Sequence, residues 1–271
     1  MPRRLIYACL LLAFISGGFV VATDTSDETA VWGAYQTISD AHRAGRTDEA
    51  IRRGKEALEN AEKTYGPEHS ETLAAADTLA GYYRMVGRDE AAGRLYKRVH
   101  EVRERVRGPD HPKTLLSVHN LGLHYWDVDQ RRKGMRLVEQ ALEARERVLG
   151  PDHPDTLESV TSLAFIYQYS GRPSDAEALY KRGVDAIDRD PALENHVGAS
   201  NMKSLAFLYT QTGRYHEARP LYVRALEIME RELGPKHPDT LLVAIGLAEC
   251  YSMTGSPDKA EQLFKRVRDA A

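Results

Sequence analysis

The chain has 271 residues, 42% of them apolar and 28% charged, with 37 Lys+Arg against 40 Asp+Glu and a formal charge of −3. This slightly acidic, sign-interleaved balance excludes the basic stripe of a nucleic-acid binder. With only Cys9 and Cys250 present, a disulfide framework is excluded as well, and the fold must be held by packing.

Residues 1–22 begin with Pro2-Arg3-Arg4, run apolar and uncharged from Leu5 to Ala22, and close on Val20-Val21-Ala22 before acidic sequence from Asp24. A basic start, an apolar stretch and small residues where a peptidase reads them make a secretory signal pattern. An uncleaved anchor is the competing reading, because eighteen apolar residues just span a bilayer, although Ser16-Gly17-Gly18 interrupts them. The expected organisation is a signal segment at 1–22, a polar linker at 23–27 and a folded region over 28–271. The expected location is periplasmic or secreted, with membrane attachment only if Leu5–Ala22 is retained. Residues 23–271 hold 35 Lys+Arg against 40 Asp+Glu, a formal charge of −5, since Arg3 and Arg4 are the only charges in 1–22.

From residue 28 onward the chain repeats. Gly66-Pro67-Glu68-His69, Gly108-Pro109-Asp110-His111-Pro112, Gly150-Pro151-Asp152-His153-Pro154 and Gly234-Pro235-Lys236-His237-Pro238 stand 42, 42 and 84 residues apart. A second marker, out of phase with the first, is Gly45-Arg46, Gly87-Arg88, Gly171-Arg172 and Gly213-Arg214, with Asp129 and Gly255-Ser256 in the remaining slots. Between the markers run a Leu column (Leu79, Leu121, Leu163, Leu205, Leu247), a small column (Ala80, Gly122, Ala164, Ala206, Ala248) and a Tyr column (Tyr83, Tyr125, Tyr167, Tyr209, Tyr251). Offsets of one and four place the three columns on one helix face. The Gly of Gly-Arg ends that first helix through its tolerance of positive φ, and Asp89 or Ser174 is expected to cap the second. The prolines then stop the second helix and start the next pair. Two places depart from the pattern. Thr37, Ala41 and Gly54 replace column residues in the first repeat, and 190–196 reads Asp-Pro-Ala-Leu-Glu-Asn-His, losing the motif but keeping the length.

These residues, most fully Leu95–Leu115 and Thr156–Arg172, resemble the tetratricopeptide repeat in the 42-residue form of kinesin light chains. The resemblance implies an all-α, right-handed solenoid of about six helix–turn–helix pairs. It also implies a protein or peptide partner and a protein-binding scaffold or adaptor rather than an enzyme. A membrane-tethered recruiter and a self-assembling structural solenoid are the alternatives. Kinesin light chains carry Asn-Asn before the Leu-Ala pair, whereas this chain has Thr78, Asn120, Ser162, Ser204 and Gly246 before its Leu column. A hydrophobic mode of capture is therefore expected instead of an amide clamp.

No sequence motif for phosphate binding, zinc-protease chemistry or a nucleophile elbow occurs, so no catalytic set, metal or cofactor is expected. His69, His111, His153 and His237 occupy equivalent turns on separate repeats, about 10 Å or more apart by helix-packing distances. That is too far to share a metal, and each imidazole is expected to bond turn backbone. Cys250 shares a column with Tyr82, His124, Ile166 and Leu208 and is expected to be a buried small hydrophobe. By the resemblance the first helix of each pair lines the groove. Two positions past the Leu column stand Leu123, Phe165 and Phe207, with Trp126 one turn beyond Leu123. These are the expected partner-binding residues, rimmed by Arg84, His119, Gln168 and Lys203. Exposure in a groove and packing against an adjacent helix both remain open for the aromatics.

Overall fold

The computed structural model describes residues 46–270. They form α1 (Thr47–Tyr65), α2 (Ser70–Met85), α3 (Asp89–Arg107), α4 (Pro112–Asp127), α5 (Arg131–Leu149), α6 (Pro154–Tyr169), α7 (Pro173–Arg189), a 3-10 turn (Pro191–Leu193), α8 (His196–Gln211), α9 (Tyr215–Leu233), α10 (Pro238–Met253) and α11 (Pro257–Ala270). No strand occurs among the described residues, and none of their helices is long and apolar enough to cross a membrane. They divide into two compact units, 46–151 with α1–α5 and 152–270 with α6–α11. Within each unit consecutive helices pack on one another, giving the pairs α2/α3 and α4/α5 in the first and α6/α7, α8/α9 and α10/α11 in the second. The signal segment, the linker and the first helix of the first repeat, with Thr37 and Ala41, lie outside the described residues.

The turns follow from their glycines. Gly87, Gly171, Gly213 and Gly255 have φ of 74–78°, and Asp129 takes the same slot at 64°, a left-handed conformation that Asp tolerates better than most side chains. The turn is closed by the backbone N–H of the next residue donating five positions back, as from Arg172 to the Tyr167 carbonyl at 2.9 Å and Arg214 to Tyr209 at 2.8 Å. This is the longer bond of a Schellman motif. One expectation fails here. The second helix of each pair is entered through Arg46, Arg88, Gln130, Arg172 or Arg214, and none makes a side-chain cap. Asp89 lies inside the first turn, and so does Ser174, beyond the reach of a cap.

The caps belong instead to the first helix of each pair. The Nδ1 atoms of His69, His111, His153 and His237 accept from the backbone N–H two residues on, at 3.1–3.3 Å. Asn195 holds the same register and accepts from Val197 and Gly198 at 3.0 and 3.2 Å. Ala192 stands there where other repeats place a glycine at φ of 85–94°, so the loop closes as a 3-10 turn whose first N–H is capped by Asp190. The motif is lost at 190–196 while its function is kept.

Packing obeys the columns. The Leu column is 2–6% exposed, and Ala80, Ala164, Ala206 and Ala248 are sealed. At Gly134 the two backbones of α4 and α5 nearly touch: an added Cβ would lie 2.5 Å from the Trp126 nitrogen and 2.6 Å from the Gly122 carbonyl. Other glycines make room for a polar neighbour. A Cβ on Gly93 would strike the His124 ring, and one on Gly183 would strike Asn201, whose amide donates to the Tyr180 carbonyl at 3.1 Å. Cys250 and the rest of its column are buried, and burial pushes the Cys250 thiol up to about 11.

Charges tie each helix pair to the Pro turn that leads into it. Arg105 reaches Glu68 at 2.5 Å, Arg147 reaches Asp110 and Arg189 reaches Asp152 at 2.7 Å, each from the end of a second helix back to the preceding Pro turn. A second coupling surrounds the Tyr column. Arg172 and Arg214 lie 3.9 Å above the rings of Tyr167 and Tyr209 and pair with Asp175 and Glu217. Where that arginine is Gln130 or Ser256, the position three residues later becomes Lys133 or Lys259, and the lysine sits over Tyr125 or Tyr251. The cation over the ring is retained by a switch of position.

Candidate functional site

The inner stripe of each first helix consists of the positions two before, two after and about five after its Leu. In the first unit the polar members of this stripe are paired or buried. Asp77 of α2 pairs with Arg103 of α3, and Arg84 Nε lies 3.4 Å from Asp127 Oδ2 of α4. His119 is fully buried. That burial, then the charges of Arg145 and Arg84, holds its imidazole well below its ordinary value, so it is neutral. Leu123 is half-buried. Trp126 is 4% exposed, enclosed where α4 and α5 meet at Gly122 and Gly134, with the Arg131 guanidinium 5.3 Å from its ring.

The second unit differs. Thr161 of α6 is tied to Asn201 of α8 at 3.3 Å, and Lys203 of α8 is buried beside Asp239 of α10 at 3.6 Å. Phe165 of α6 is half-buried against Tyr169, their ring centroids 4.6 Å apart. Gln168 donates to Gln211 at 2.9 Å and accepts from the Tyr180 hydroxyl. Beyond these, α8 exposes Phe207 (38%) and α10 exposes Leu242 (37%) and Ile245 (39%). Helices α6 and α8 touch each other, as do α8 and α10.

The expected site is therefore redistributed. Trp126, His119 and Lys203 are interior, and Arg84 has a side chain only 9% exposed and committed to Asp127. A long cation two positions before or five after the Leu folds back onto a carboxylate of the neighbouring helix instead of forming a rim. Phe207 is exposed, Phe165, Gln168 and Leu123 are half-buried, and Leu123 lies in a different unit from the other three. Sequence reasoning missed Leu242 and Ile245. The available signal was Ile245 itself, the one aliphatic residue in a column that otherwise reads Tyr35, Asp77, His119, Thr161 and Lys203.

For chemistry the arrangement offers little. Among the described residues no three His, Cys, Asp or Glu side chains converge on a metal position. Two open hollows lie along α11 and are rimmed by Lys265, Arg266 and Arg268. What the second unit does present is a set of exposed apolar side chains on adjacent helices.

Helix pairs of near-constant length with small residues at their crossings define a class, the stacked-repeat proteins. The chain belongs to the tetratricopeptide repeat family, whose model matches residues 38–101, 118–188 and 198–271. No curated protein matches the sequence. Among solved structures it is similar to the nearly identical kinesin-light-chain TPR-like repeats of Podosopora anserina, at 27% identity and a TM-score of 0.60, covering 75% of this chain and 96% of that one. It also shares its fold with BtubC (BKLC) of P. vanneervenii, at 20% identity, TM-score 0.64 and 91% of both chains. A third is NprR in complex with its cognate peptide NprX, at 15% identity and TM-score 0.59, covering 93% of this chain and 69% of that one.

Proposed function

We propose that this chain is an exported protein-binding scaffold that engages its partner through the first-helix stripe of the second unit. The observation that carries the reading is the exposure of Phe207, Leu242 and Ile245 on touching helices. Large apolar groups gathered on a protein surface mark interaction sites. Family membership supports a binding role, and the NprR complex is an instance of this fold holding a peptide. Export rests on the basic-then-apolar pattern of Pro2–Ala22. A retained Leu5–Ala22 would make the same scaffold a membrane-tethered recruiter.

The test is capture from envelope extract with the tagged full chain, beside a chain carrying Phe207→Glu and Ile245→Glu shown by circular dichroism to be folded. A protein held by the parent and lost by the variant is the expected result. Equal capture by both would move the contact to another face. The N-terminal mass of the recovered bait reads export directly: a start near Thr23 is expected, and an intact Met1 or Pro2 in the membrane fraction would replace the secreted reading with the anchored one.

A further inference from the structure

We infer that the exposed face of α8 and α10 accepts a partner segment combining large apolar side chains with a lysine or arginine. The inference rests on the scaffold reading above and adds the chemistry of what the scaffold holds.

The argument is one of charge. Most of this chain's surface is dense in paired charges, as along α7 and α9, where Arg214 holds Glu177 and Glu217 and Arg224 holds Asp188 and Glu194. Helices α8 and α10 are the opposite. Their single Lys or Arg is Lys203, which is 8% exposed and spent on Asp239. Among the described side chains that the two helices expose, Glu249 is the one charge, and no ion pair engages it. The other residues that the two helices expose are the apolar Val197, Phe207, Pro238, Leu242, Ile245 and Met253, with neutral Gln211 and Ser252. Depletion of charge around aromatic and aliphatic anchors is the composition of an interface core.

Position gives Glu249 its meaning. It occupies on α10 the slot that Phe207 occupies on α8, and it follows Ile245 by four residues, so it lies on the same stripe one helical turn away. A partner that covers Ile245 and Phe207 therefore removes Glu249 from water. Burying a carboxylate without a counter-charge costs far more than the apolar contact returns. A partner carboxylate at that place would be repelled, a neutral partner would leave the charge stranded, and a lysine or arginine satisfies it.

The probe is a phage-displayed random peptide library selected on the folded full chain, then re-selected on the Glu249→Lys variant and on the Phe207→Glu, Ile245→Glu variant. Parent-selected peptides should share aromatic or aliphatic residues with a neighbouring Lys or Arg, and should lose binding on the double variant. They should bind Glu249→Lys at least about fivefold more weakly, the order expected for one charge pair, and re-selection on that variant should turn to Asp and Glu. If peptides are lost on the double variant yet show no basic bias and ignore Glu249→Lys, this inference falls while the scaffold face stands. If they bind the double variant as well as the parent, the face itself is wrong and both readings fall. If no peptide is selected while a protein is still captured from extract, the segment chemistry proposed here falls and the scaffold reading survives.

Discussion

A single imidazole shows how local chemistry sets behaviour in solution. Nδ1 of His111 accepts from the Lys113 N–H at 3.1 Å, which requires that this nitrogen carry no proton. Partial burial, then the Arg107 guanidinium beside the ring, lowers the His111 pKa. Only the neutral ring can cap, because a protonated Nδ1 donates. With a folded-state pKa below the unfolded value of 6.5, the cap's contribution is complete above pH 6.5. It is lost as pH falls from there through the folded-state pKa. His111→Ala should therefore cost about 0.5–2 kcal/mol near neutral pH, the usual worth of an N-cap. His111→Asp should keep the cap and remove this part of the stability loss between pH 6.5 and 5. Urea denaturation at pH 7.5 and 5 measures both, and an Asp variant with the same pH slope as the parent would show that the imidazole is not the capping group.

At the level of helices, the pair α4/α5 is distinguished by two glycines where other repeats have alanines. Isolated helices gain about 1 kcal/mol when Gly becomes Ala. Gly134→Ala should do the reverse here, because its Cβ would stand 2.5–2.9 Å from Trp126 backbone and 2.6 Å from the Gly122 carbonyl, and backbone cannot step aside as a side chain can. Overpacking of this kind costs about 1–3 kcal/mol. Thermal unfolding should show a lower midpoint, and Trp126 fluorescence should shift to longer wavelength as its enclosure loosens. An unchanged or raised midpoint would mean that α4 and α5 are not in this close contact.

Across the molecule, stability is a sum over like contacts between neighbours. The arginines at 105, 147 and 189 make the same bridge three times, from the end of a second helix to the preceding Pro turn. Each pair is solvent-exposed, so each is worth at most about 1 kcal/mol and is screened by salt. Replacing all three by Gln should lower the unfolding midpoint additively, by more at low salt than at high. If the loss is the same at both ionic strengths, the bridges act through packing of the arginine stems and not through charge.

Much of this was legible from residues alone, for definable reasons. A period of 42 with Leu, small and Tyr columns determines helix pairs, because each column needs the same neighbour in every repeat. Glycine at the turn and proline at the restart determine where helices end, since both act through their own backbone. The burial of the Cys250 column and the backbone-bonding role of the turn histidines follow in the same way. What only the tertiary structure decided is how long side chains are spent. Arg84, His119 and Lys203 look like a polar rim because sequence shows that they are charged or polar and on the right face. It does not show Asp127, Arg145 or Asp239 brought beside them from other helices. Trp126 is interior because Gly122 and Gly134, without side chains where α4 and α5 cross, let the two helices close over it. Asn195 replaces a histidine as cap with no trace of the motif, because capping needs an acceptor at one place and not a particular residue. Position along a helix is a local property that sequence carries; which of two chemically suitable faces is left open depends on groups that arrive from elsewhere in the fold.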